Sequence, residues 1–304
     1  MSVKTAPFTS RRNFIIQSAA LLSTSFIRLP GLAAAKEKYK MGLQLFTVRD
    51  ALASDLPGSL KRIAAMGYQD LETYGYDGVH KTFYGMGASS FKQLLADNQL
   101  TTSSGHYDFA PLFDQPADEL KRYVDQCIEG AHATGHRYIT WPWLNEASRS
   151  IEKFKLLTDK LNVIGEQVNK AKLGFAYHNH DFEFIDHKGE NGYDIIMKNT
   201  DASLVKLQID LYWTAYSNID PLALFARQPG RFVMWHIKDM DKVNKKYTEM
   251  GNGSIDYAAL LPAAEKAGLQ YYFIEQGSNF AGNSMQSVED SARYFNKNLR
   301  KYLV

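Results

Sequence analysis

Residues 174–180 read GFAYHNH, and the run continues as DFE to position 183. In an extended strand, residues two apart share a face, so Ala176, His178 and His180 line one side. An apolar run of strand length that ends in two same-face imidazoles describes a strand whose inner face passes from packing to chemistry at its C-terminal end.

The pattern recurs on both sides of this stretch. MGLQLF from Met41, DLETYG from Asp70, TTSSGHY from Thr101 and RYITW from Arg137 precede it; LVKLQID from Leu204, FVMWHIK from Phe232 and YYFIEQ from Tyr271 follow. Between these runs lie segments of helical period. PGSLKRIAAMG opens at Pro57 and stops at Gly67. IEKFKLLTDKLNVIGEQVNKAKLG ends at Gly174, IDYAALLPAAEKAG ends at Gly268, and SVEDSARYFNKNLRKYL closes the chain. Eight strand–helix units of roughly 30 residues each predict an α/β fold, a single-domain (β/α)8 TIM barrel, which typically takes about 250 residues. A doubly wound sheet is the competing architecture, but no G-x-G-x-x-G follows the first strand and no P-loop is present.

The chain has 304 residues, a formal net charge of +2, eight histidines and one cysteine, Cys127. One thiol forms no internal disulfide. A near-neutral charge without basic blocks argues against a nucleic-acid partner. Residues 1–35 have the order of an export signal: Arg11 and Arg12, a modestly apolar stretch, then Ala33-Ala34-Ala35. The SRRNFI start is of twin-arginine type, which implies transient engagement of the twin-arginine export machinery and a periplasmic or otherwise exported barrel over residues 36–304.

In such a barrel the active site lies at the C-terminal ends of the strands. Gln44 and Glu72 stand near the ends of the first two, His106 and Trp141 end the next two, and His178 and His180 end the fifth. Asp210, His236 and Glu275 end the last three. Taken singly, each has an ordinary structural explanation. Together, buried acids and imidazoles are costly unless paired or liganded, and one divalent metal would satisfy Asp210, Glu275 and two imidazoles. The mixed nitrogen and oxygen set suits Mn²⁺, Zn²⁺, Co²⁺ or Fe²⁺. Lys238 shares a face with His236 and either binds a substrate oxygen or forms a salt bridge. Trp141 and Trp143 flank Pro142 and offer a wall for sugar stacking, or one of them packs in the core. Glu183 is expected to hold a histidine in orientation. His80, His132, His136 and His187 are expected at the surface.

GLQLFTVRD, YHNHDFEF, QIDLYW, WHIKD and FIEQG, in this order over residues 40–300, resemble the xylose isomerase-like TIM barrels, which include ketose 3-epimerases, inosose dehydratases and sugar phosphate isomerase/epimerases. The resemblance implies metal ligands at Asp210, His236 and Glu275. It places His178 where the epimerases carry a first glutamate ligand. It also implies a sugar isomerase or epimerase acting on a small carbohydrate by proton abstraction next to a carbonyl, through an enediolate, with Glu275 as base. The epimerases use two glutamates, one on each face of the sugar. Here the second acid or base would come from His180, Glu183, Glu72 or His106. That departure keeps a dehydratase or lyase in play, expelling water or an aglycone. A non-catalytic sugar-binding barrel is the reading from another class, and a homo-oligomer is compatible with all three.

Overall fold

The computed structural model describes residues 1–2 and 38–303; the expected export signal lies outside the described residues. Eight parallel strands close into a barrel. They are β1 (Met41–Gln44), β2 (Asp70–Thr73), β3 (Thr101–His106), β4 (Tyr138–Trp141), β5 (Gly174–His178), β6 (Val205–Asp210), β7 (Met234–Ile237) and β8 (Tyr271–Ile274). Each pairs with its sequence neighbours, and β8 pairs with β1 to close the ring. All eight sequence runs form these strands.

The main helices are α1 (Leu56–Ala65), α2 (Ala88–Asp97), α3 (Ala117–Thr134), α4 (Ile151–Lys170), α5 (Gly192–Asn199), α6 (Pro221–Arg227) and α7 (Ser284–Tyr294). Their apolar stripes face the barrel; α4 buries Phe154, Leu157, Leu161, Ile164 and Val168. Ser150 caps α4 by accepting from the Lys153 N–H at 3.3 Å. The expected single helix ending at Gly268 is instead three short turns, Tyr257–Leu260, Leu261–Ala263 and Ala264–Ala267. Pro262 lacks the N–H that an unbroken helix needs there. No described helix is long and apolar enough to cross a membrane.

Strand parity sorts the interior into levels. Tyr138, Ala176, Met234 and Phe273 form a small apolar cluster separate from the main core. Two residues further along the same strands come Thr140, His178, His236 and Glu275, all buried. Packing below and polar chemistry above thus follow from the two-residue repeat. Two short additions stand beyond strand ends: a three-stranded sheet at residues 76–87 after β2, and a hairpin pairing Asp239–Met240 with Tyr247–Thr248 after β7.

Parity also corrects two expectations. Thr140 pairs with Ala176, whereas Trp141 pairs with Tyr177 and faces outward. Trp141 is fully buried, stacked on Phe109 at 5.1 Å, and is a core residue rather than a sugar-binding wall. His136 is not a surface residue. It is buried beneath β2 and β3, with its ring nitrogens facing the Tyr107 hydroxyl at 2.9 Å and the Thr73 hydroxyl at 3.4 Å. Gly105 makes that possible: a Cβ there would lie 2.6 Å from the His136 ring.

Candidate active site at the barrel mouth

Glu72 is fully buried on β2. Its Oε2 accepts from Gln44 Nε2 at 2.6 Å and lies 2.5 Å from His236 Nε2 and 3.2 Å from His106 Nε2. Its Oε1 accepts from Gln208 Nε2 at 2.6 Å. Burial alone would raise the Glu72 carboxyl, but His106 and His236 outweigh it and hold the group well below the ordinary range. Because the Gln208 amide donates to Glu72, its oxygen must accept, and His106 Nε2, 2.7 Å away, is the donor. Four neighbours thus surround one carboxylate, away from the open cavity. Glu72, expected as a candidate acid or base, instead orients His236 and His106.

Above Glu72 the last three strands converge. His236 Nδ1 lies 2.6 Å from Glu275 Oε2. Lys238 Nζ lies 2.7 Å from Asp210 Oδ2 and 3.0 Å from Glu275 Oε2. Burial disfavours charge on Lys238, yet the Asp210 and Glu275 carboxylates prevail and hold the ammonium protonated. The salt-bridge reading of Lys238 therefore holds. Burial would raise Glu275, but Lys238 and His236 bring it far below the usual carboxylate range. His236 opposes desolvation with a carboxylate on each side and is pushed up to about 9. Burial raises Asp210, with Lys238 offsetting only part of it.

The fifth strand contributes two imidazoles. His178 Nε2 lies 3.7 Å from Asp210 Oδ2, and its ring is 4.4 Å from His236 and 5.0 Å from His106, centre to centre. Burial first, and then the neighbouring imidazoles and Lys238, keep His178 neutral. Burial and Lys238 do the same for His180. His180 stacks on Phe182 at 5.6 Å and meets Trp143 edge-on at 4.7 Å. Glu183 does not orient an imidazole ring. It accepts from the Tyr177 hydroxyl at 2.6 Å and from the His180 backbone N–H at 2.8 Å, which pins the turn carrying His180.

A cavity of about 420 Å³ opens over these groups, lined by Gln44, His106, His178, His180, Lys238 and Glu275 among others. Phe46, Tyr74, Trp143 and Tyr247 supply its aromatic walls. Three of these four escaped the sequence reading, although Phe46 and Tyr74 stand two positions beyond Gln44 and Glu72 and continue the inward parity past the strand ends.

The donor set fits a divalent metal. Ligand atoms of Asp210, His236 and Glu275 all lie within 4.8 Å of one another, as do those of His106, His178 and His236. Asp210 Oδ1 accepts from the Tyr212 and Trp213 N–H groups and Oδ2 from the Lys238 ammonium, while the buried His178 Nδ1 has no hydrogen bond. With its Nε2–H directed to Glu72, His236 would offer Nδ1 to a metal that displaced the proton held there by Glu275, the arrangement in which a carboxylate fixes a metal-binding imidazole.

The profile of the xylose isomerase-like TIM barrel family matches residues 60–298. An inosose dehydratase of Clostridium beijerinckii is 30% identical over 123 residues, covering 35% of this chain and 41% of that protein. One from Geobacillus thermodenitrificans is 26% identical over 140 residues, covering 40% and 46%. The chain thus aligns with less than half the length of these curated relatives. A sugar phosphate isomerase/epimerase of Parabacteroides distasonis superposes with a TM-score of 0.76 at 25% identity, covering 90% of this chain and 98% of that one. The IolI protein, solved with a bound zinc atom, superposes with a TM-score of 0.68 at 15% identity, covering 86% and 99%.

Proposed function

The chain belongs to the xylose isomerase-like TIM barrel family, and from that premise we propose that it is a metal-dependent isomerase or epimerase of a keto sugar or related carbohydrate. The observation that carries this reading is the convergence of Asp210, His236 and Glu275, with Glu275 and the neighbouring His178 lining a sugar-sized cavity. Asp210, His236, Glu275 and His178 would hold the metal. Bound there, it would polarise the substrate carbonyl and favour loss of a proton from the adjacent carbon.

The chain's own groups then divide the work. Glu275, ionised and lining the cavity, takes the proton. Lys238, a fixed ammonium beside Glu275, stabilises negative charge that develops on a substrate oxygen. His180 reaches the cavity from beyond β5, three strands from Glu275, and exchanges the proton at the neighbouring carbon or the other face. Glu72 stays inside the barrel and keeps His236 in orientation.

A second reading has its own support. Glu275 and His180 are chemically unlike, and one carboxylate with one imidazole suits removal of a proton at one carbon and protonation of a leaving group at the next. That is the chemistry of a dehydratase or lyase, the activity named for the two inosose dehydratases. Incubation with keto sugars and 3-keto-glycosides in D₂O separates the readings. Deuterium beside the carbonyl, with all groups retained, is the isomerase outcome. Release of water or an aglycone is the lyase outcome, and no exchange with any of them contradicts both. We read Arg11–Arg12 as part of an export signal that would carry this activity outside the cytoplasm, and cell fractionation tests it.

A further inference from the structure

We infer that the substrate is an unphosphorylated two-ring glycoside, whose second ring is a sugar or an aryl group, rather than a free monosaccharide or a sugar phosphate. This rests on the carbohydrate reading above, and three separate observations carry it.

The first is the placement of aromatic surface. Phe46, beyond β1, and Trp143, beyond β4, are 40% and 41% exposed, although both are large and apolar and line the same cavity. Each is braced. The Arg49 guanidinium lies over Phe46 at 4.3 Å, and Tyr74 meets it edge-on at 5.3 Å. The Arg149 guanidinium lies over Trp143 at 4.5 Å and over Phe182 at 3.9 Å. Arg149 itself is anchored by two hydrogen bonds to the Leu144 carbonyl, at 2.9 and 3.1 Å. Preorganised aromatic faces left open at a cavity are binding platforms. There are two, three strands apart around the ring, one for each of two rings of a ligand. Trp143, in contact with His180, is placed to take the ring that reacts. Phe46 and Tyr74 are placed to take the second ring.

The second observation is charge. Among the described residues, the cavity lining contains one lysine and no arginine, and that lysine, Lys238, is already paired with two carboxylates. Asp108 adds a further carboxylate to the lining. Beyond the proposed metal and the paired Lys238, a phosphate dianion would meet no Lys or Arg side chain among the described lining residues.

The third is Glu249. In this fold, phosphate commonly binds at the loops after the seventh and eighth strands and a nearby helix N-terminus. Here Glu249, from the loop after β7, fills that place. Its Oε1 accepts from the Ala281 N–H at 2.9 Å and the Ser287 hydroxyl at 2.5 Å, at the start of α7. The Gln286 N–H is capped by Asn283 at 3.0 Å. The donors a phosphate would use are taken by the protein's own groups.

Calorimetric titration of the purified, metal-supplemented protein tests this. The probes are phenyl 3-ketoglucoside, 3-ketocellobiose, free 3-ketoglucose and the 6-phosphate of the phenyl glycoside, with the galacto series of each run in parallel. In at least one series, a two-ring probe is expected to bind at least about tenfold more tightly than the free sugar and the phosphate. The phenyl or the disaccharide form, whichever is tighter, identifies the second ring. Phe46→Ala, with Phe46→Leu as a milder partner, is expected to narrow the two-ring preference. Trp143→Ala is expected to weaken one-ring and two-ring probes alike. A phosphate that binds as tightly as its parent, a free sugar that matches the two-ring probes, or no binding in either series overturns the inference. A two-ring preference without deuterium exchange or product would leave this substrate class standing and remove the proposed reaction.

Discussion

Two levels of the barrel interior, two residues apart on the same strands, solve opposite problems. The lower level, with Tyr138, Ala176, Met234 and Phe273, is held mainly by apolar contact, with the Tyr138 hydroxyl donating to Gln270 at 3.1 Å. The upper level is as buried but polar: Glu72 has four partners, Lys238 has two carboxylates, and His236 has one on each side. Burial of such groups is tolerated only where partners compensate. The exception is informative, because the buried His178 Nδ1 lacks a hydrogen bond at the point where the upper level meets the cavity. The lower level packs, and the upper level, with an imidazole nitrogen left unpaired, is where we propose that a metal binds.

The largest effect expected from separating the two levels is on catalysis. Glu275→Gln keeps the shape but removes the proposed base, and should lower turnover by about 10²–10⁴-fold with the barrel still folded. Steady-state assays beside circular dichroism check this, and full activity in the variant removes Glu275 from its role. In the lower level the cost falls on stability. Met234→Ala should lose about 2–5 kcal/mol in urea unfolding through loss of buried volume. A loss near zero would mean that the apolar level is not packed as described.

Glu72→Gln joins the two levels and should have an intermediate effect. It keeps the volume but loses the charge that orients His236, so metal affinity should fall by about 10–100-fold. Unchanged metal affinity would reduce Glu72 to a structural residue.

The smallest effect concerns pH and lies outside the site. Burial lowers His136 from 6.5 to about 3, with Glu72 opposing only slightly. Between those values the unfolded chain binds a proton that the folded chain refuses. His136 therefore supports stability above pH 6.5, and that support is lost as pH falls towards 3. His178 and His180 act with the same sign. His136→Gln should flatten this acid limb in melting temperatures recorded against pH, and an unaltered limb would show that His136 is protonated without cost.

The same contrast explains what the sequence made legible. Apolar runs of strand length marked all eight strands, because each buries a face whatever its neighbours do. The strand-end acids and imidazoles were visible because their parity follows that of the packed residues below them. Trp141 misled because it ends a strand on the outward parity. Glu72 misled because its depth depends on how neighbouring strands are staggered, which no single strand records. His136 and Gly105 are related only through contact across the fold. Glu249 lies in a loop, and its phosphate-like role depends on Ala281 and Ser287, which are distant in sequence.

The central claim is that the upper level is completed by a metal held through Asp210, His236 and Glu275. Calorimetric titration of metal-stripped protein with Zn²⁺ or Mn²⁺ tests it directly, comparing the native chain with Asp210→Asn and His236→Gln. One site per chain, lost or severely weakened in both variants while their folds persist, is the predicted result. No binding to the native chain, or binding unaltered by both substitutions, would contradict it.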